Sequence, residues 1–272
     1  MSRFLSSIAT AFLASLVCSQ ALAQGAEANA AQPDADSIVV QIEGQVLNPG
    51  TFAFPPGSRL SQAAATGQVS SNAWFLGAAL LRESAIEPQV RLKAGVIFEL
   101  EVNAVHAKAT GNAGLLELAE RLYALAAPLP VTGRVKAEMN PLAQLLLPNN
   151  DLLEDGDRLL YPLRGEQVRV LGAVEEDCVL AHVPGMQPVG YLESCTRHPM
   201  ADPSYVYLIQ PNGSVDRAPV AAWNIRPANV ATGAVIYVPL RRNMLSPETT
   251  GFNEDMAALL ATQYQLGGRF GE

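Results

Sequence analysis

Leu153–Leu163 reads LEDGDRLLYPL, and Val230–Leu240 reads VATGAVIYVPL. Each runs from an apolar residue through two fillers to a glycine, then through two more residues into a strand-forming run that ends in Pro-Leu. Gly156 and Pro162 are six residues apart, and so are Gly233 and Pro239. Working outward, the openings match as well: IEGQV (Ile42–Val46) and VLGAV (Val170–Val174) share an apolar-x-Gly-x-Val strand. The distance from opening to ending is 112 residues for Gly44 to Gly156 and 61 for Gly172 to Gly233. A chain that opens and closes twice in the same way holds two copies of one small β unit. The first copy carries an insertion of about 51 residues.

The intervening segments fit this scheme. Ile38, Val40 and Ile42 alternate along one face, as a half-buried strand requires. Asn48-Pro49-Gly50 is a turn signal, and Thr51–Phe54 returns as the second arm of a hairpin. The insertion is expected between Asn72 and Pro130. There Leu92, Val96 and Leu100 recur at helical spacing, followed by a second apolar face at Leu115, Leu118, Ala119, Leu122 and Leu125. Two helices joined at Ala109-Thr110-Gly111-Asn112 make a helical hairpin. In the second unit Tyr205–Ile209 precedes Pro211-Asn212-Gly213, a hairpin turn. After it, Ser246 and Pro247 predict a helix start, and Phe252, Met256, Leu259, Leu260 and Tyr264 form one apolar stripe. That stripe either packs on its own domain or docks on a partner. Its polar face lacks the Lys and Arg of a membrane-surface helix, so a protein partner is favoured.

The first 23 residues read as a secretory signal: Arg3, an apolar run from Ile8 to Val17, and the small-residue site Ala21-Leu22-Ala23. The chain carries a net charge of −8, and removal of Arg3 with the signal makes it −9. An acidic chain without a basic face argues against a nucleic-acid partner and against electrostatic docking on anionic lipid. No later run is long and apolar enough for a permanent membrane span. Secretion with this cleavage site fits a bacterial periplasm.

The ordered motifs have a further meaning. VQIEGQVLNPGTFAF resembles the start of a β-grasp domain of the SLBB type found in polysaccharide export proteins. PVTGRV (Pro130–Val135), LEDGDRLLYP, VRVLGAV, the VPG of Val183–Gly185, Tyr191-Leu192, IQPNG (Ile209–Gly213) and GAVIYVPL follow one another as in the GfcC family of capsule-biosynthesis proteins. The resemblance implies an α+β chain of two β-grasp domains. The expected organisation is a signal peptide over 1–23, a leader over 24–37, and a first β-grasp domain over 38–165 with a helical hairpin inserted at about 72–130. A second β-grasp domain follows over 166–240, and the tail, 241–272, bears an amphipathic helix at about 247–266. The resemblance also implies a non-enzymatic periplasmic role in capsule or exopolysaccharide assembly or export, with a Wza-like outer-membrane export protein and the polysaccharide as partners. The alternatives are a polysaccharide-binding module and, behind it, a polysaccharide-modifying enzyme. The family's arginine near the hairpin maps best on Arg134, with Arg121 as the alternative. A guanidinium there suits the carboxylates of acidic sugars, unless it pairs with a structural acid such as Glu138 or Asp157.

No nucleophile elbow, zinc-protease motif or phosphate loop is present, and no cofactor is implied. Cys178 and Cys195 are the two cysteines of the mature chain. In an oxidising compartment they are disulfide candidates. Two buried thiols, or a zinc site completed by His182 and His198, are the other readings. Asp151, Glu154, Asp155 and Asp157 lack the calcium-loop spacing and suit a solvated, capped turn. Trp74, Tyr191, Tyr205 and Trp223 are the aromatics available to stack on sugar rings.

Overall fold

A computed structural model describes residues 37–224 and 226–264. The signal peptide, the leader up to residue 36 and the expected helix residues 265–266 lie outside the described residues. The fold is α+β, with two five-stranded sheets.

The first sheet contains β1 (Ile38–Gly44), β2 (Gly50–Phe54), β3 (Ala79–Leu81), β4 (Arg134–Val135) and β5 (Arg158–Tyr161), in the order β2-β1-β5-β3-β4. The second contains β6 (Gln167–Gly172), β7 (Cys178–Ala181), β8 (Tyr205–Ile209), β9 (Val215–Pro219) and β10 (Val235–Val238), in the order β7-β6-β10-β8-β9. Strand for strand the orders are the same. In both, the first and last strands pair in parallel at the centre, and the other pairings are antiparallel. This is the β-grasp arrangement, written twice.

The repeated glycines have a shared physical cause. Gly44 and Gly172 each end the first strand of their sheet, opposite Tyr161 and Val238. Their φ angles are 92° and 108°, a region that side chains disfavour. A Cβ would lie 2.1 Å from the Tyr161 carbonyl oxygen at Gly44 and 2.4 Å from that of Val238 at Gly172. The backbone then turns so that Val46 and Val174 donate to the carbonyls of Gly44 and Gly172, both at 2.8 Å. A glycine two residues before a valine is therefore the only practical way to leave each central strand.

The two sheets differ in how they are covered. In β1, Val40 and Ile42 are buried while Val39 is exposed, so one face carries the core. That core packs on α1 (Leu60–Gly67) through Leu60 and Ala63. Strands β8 and β10 are buried at every position, which requires cover on both faces of the second sheet. Its cluster includes Tyr191 and Leu192 of α4 (Pro188–Glu193), and also residues of α2 (Ile86–Thr110), α3 (Ala113–Ala126) and α5 (Phe252–Ala261).

The helical hairpin α2–α3 leaves the first sheet between β3 and β4, where the second sheet has only the 210–214 turn. Its apolar stripe, including Val96, Leu100, Leu115, Leu118 and Leu122, belongs to the second domain's core. Asn112 forms the tight joint by accepting the Leu115 amide at 3.1 Å as the α3 cap. Strand β3 falls inside the 72–130 span that the sequence assigned to the insertion. Three consecutive buried residues, ALL, show no alternation from which to read a strand.

Candidate functional site

Both arginines singled out by resemblance lie at the contact between domains. Arg134 is buried in β4, and its guanidinium donates to the Pro211 carbonyl and, at 3.4 Å, to that of Ala261. It pairs with neither Glu138 nor Asp157. Desolvation brings its pKa down to about 10, so it remains a cation at neutral pH. Arg121 on α3 donates to Gly172 O at 2.8 Å, to Glu175 O at 2.5 Å and to Val174 O. Each side chain ties an element of the first domain to backbone carbonyls of the second. At Arg134 the head group is largely buried and meets backbone carbonyls, at the edge of a small cleft lined also by Lys136 and Asn212.

The tail helix is also committed. Phe252, Met256, Leu259 and Leu260 are buried in the second domain's core. Tyr264 packs against Ala79, Leu81 and Leu160 of the first sheet. Asn253 donates to Leu240 O and accepts the Leu240 amide, both at 2.9 Å, which fastens the helix to the end of β10. The stripe therefore packs in the interior. The helix begins at Phe252, not near Pro247. Side-chain Oδ1 of Asn103 on α2 accepts the Ser246 amide at 2.9 Å and the Thr249 hydroxyl at 3.2 Å, holding 246–249 as a turn.

Cys178 and Cys195 are disulfide-bonded, joining β7 to the segment after α4. His182 Nε2 lies 3.0 Å from Val230 O, and His198 Nδ1 accepts the Met200 amide at 3.1 Å. These rings serve local backbone, and no metal-competent cluster occurs among the described residues. Within the acidic turn, Asp155 accepts the Val39 amide, and Asp157 accepts the Glu154 amide and binds Arg82.

A feature the sequence reading passed over lies in the β4–β5 connection. Leu142, Leu145, Leu146 and Leu147 are 64–78% exposed, within the uncharged stretch from Met139 to Asn150. Short 3₁₀ turns at Ala143–Leu145 and Leu147–Asn149 present them. Gln144 turns inward and donates to Glu138 O at 2.7 Å, anchoring the loop while its leucines face out. Four leucines between Pro141 and Pro148 fit neither a helix nor a strand period, and that mismatch was the available signal. Clustered exposed leucines mark an interaction surface.

Of the four candidate aromatics, Tyr191 and Tyr205 are buried, Trp74 is half-buried, and Trp223 is 80% exposed. The class of protein defined by these features is a duplicated β-grasp chain with an exposed apolar loop. The match to known proteins is narrower. Residues 178–264 match the family model described as Capsule biosynthesis GfcC C-terminal. An Escherichia coli K12 protein described as uncharacterized protein YjbG is 26% identical over 200 residues, which cover 70% of this chain and 76% of that relative. The similarity to the GfcC C-terminal model thus lies in the second sheet and the tail helix. No described helix is long and apolar enough to cross a membrane.

Proposed function

We propose that this chain is a non-enzymatic periplasmic accessory protein of capsule or exopolysaccharide assembly and export, which docks on a Wza-like outer-membrane export protein. The match to the capsule-biosynthesis family supports the pathway. The periplasmic assignment rests on the signal-like segment at 1–23. The observation that carries docking is the leucine loop. Burying one leucine side chain contributes about 1.5–3 kcal/mol, so four together supply the apolar centre of an interface. Glu138, Asp151 and Asp155 outnumber Lys136 beside the loop, and this acidic excess opposes insertion into an anionic leaflet. A protein surface is the better fit.

The test is co-purification of the mature protein with outer-membrane extract, comparing wild type with the double variant Leu145→Glu/Leu146→Glu. Both sites are exposed, so folding should persist, as checked by circular dichroism. Loss of the export protein from the variant's eluate supports the reading. Equal recovery by both proteins refutes docking through this loop. Turnover of purified capsule by wild type would overturn the non-enzymatic part.

A further inference from the structure

The β9–β10 connection of the second domain holds the position that the leucine loop holds in the first. It presents different chemistry. A cleft of about 800 Å³ lies between this connection and the β8–β9 hairpin. Trp223 stands at its wall, with the indole largely exposed. Arg217 and Arg226 also line it, and both are exposed. Among the described residues neither is ion-paired. Asp216 is the one acidic side chain in the lining, so the cleft is locally positive on a chain of net charge −8.

The walls are fixed before any ligand arrives. The Arg217 guanidinium sits 3.5 Å above the centre of the Tyr205 ring, which sets its direction. Asn224, next to Trp223, donates to Ser204 O at 3.2 Å and accepts the Ala221 amide at 3.1 Å. Gln210 donates to Asn229 O at 2.6 Å. Gln187 accepts the Ala228 amide, also at 2.6 Å. A loop pinned at three points on neighbouring elements, yet displaying its largest apolar side chain to solvent, has the features of a preorganised site.

We infer that this cleft binds an acidic saccharide, with the Trp223 indole under the C–H face of a pyranose ring and Arg217 and Arg226 receiving a uronate carboxylate. The indole supplies a flat apolar platform with a polar edge, which suits a sugar's mixed surface. The guanidiniums supply planar, two-pronged donors matched to a carboxylate. Two cations against one acid select an anionic sugar over a neutral one. This inference rests on the capsule-related reading for its ligand class, but uses no residue of the leucine loop.

The experiment is titration of the full mature protein with oligogalacturonate, oligoglucuronate and neutral maltohexaose, followed by calorimetry and tryptophan fluorescence. The expected result is binding of at least one uronate oligomer in preference to maltohexaose. Trp223→Ala should weaken it on the order of tenfold and remove the fluorescence change. Arg217→Gln/Arg226→Gln should abolish the preference for the charged sugar. All three sites are exposed, and unchanged melting temperatures confirm folding. No binding of either uronate oligomer, or binding indifferent to Trp223→Ala, overturns the site. Equal binding of maltohexaose overturns the acidic specificity. Failure here leaves the docking result untouched, since the Leu145→Glu/Leu146→Glu variant keeps this cleft intact.

Discussion

Arg82 grips Asp157 with two parallel bonds, Nε to Oδ1 and a terminal nitrogen to Oδ2, both at 2.8 Å. Asp157 is fully buried, and Arg82 also reaches Glu154 and the Leu152 carbonyl, each at 2.9 Å. The contact fixes the end of β3 against the turn that enters β5. Removing one partner of a buried pair strands the other's charge. Arg82→Met should therefore cost about 3–5 kcal/mol, read as a lower urea midpoint at neutral pH.

Gly44 and Gly172 call for a paired test. Alanine at either position combines a disfavoured φ with a clash against a carbonyl oxygen. Each variant should lose about 2–4 kcal/mol. Similar losses in chemical denaturation would show that the two copies share one architectural constraint.

The disulfide between Cys178 and Cys195 spans 17 positions and restricts the unfolded chain. Cys178→Ser/Cys195→Ser should cost about 3 kcal/mol. Unreduced mature protein, which lacks Cys18, should take up no iodoacetamide by mass; two labelled thiols would contradict the bond.

Glu99 on α2 sits near Glu254 and Asp255 of α5, and one of its oxygens is buried without a hydrogen-bond partner. Desolvation, reinforced by those two acids, raises its pKa from 4.5 to about 7. Between those values the folded chain holds a proton that the unfolded chain has released. Stability therefore falls as pH rises through this window. Glu99→Gln should flatten that slope and add on the order of 1 kcal/mol at pH 8, the full shift being discounted for solvent screening. Melting curves at pH 5 and pH 8 check both statements.

The duplication and its hairpin turns were legible because their constraints are local. Gly156 and Gly233, like Gly44 and Gly172, mark turns that side chains disfavour, and their spacing survives in the sequence. The stripes of α2 and α3 were legible for the same reason. What they pack against was not. A leucine stripe carries no sign of whether its own sheet or the next one receives it. The carbonyl contacts of the two arginines were not legible, because donation to backbone carbonyls has no partner residue type to look for. At Ser246 the local start signal lost to Asn103, a side chain from a distant helix that stabilises a turn instead.

The exchange of the hairpin has an evolutionary side. A duplicated module is ordinarily free to be shuffled, deleted or grafted elsewhere, because each copy closes its own interior. Here the first copy has lent the apolar face of its hairpin to its neighbour, and the tail helix returns Tyr264 to the first sheet. A fragment ending after β5 would carry a hairpin with nothing to cover, and one starting at β6 would keep α4 and α5 but lose the cover that α2 and α3 give its sheet. The two halves have become mutually obligate. The descendants of such a duplication can diverge in what their loops present, but they can no longer part.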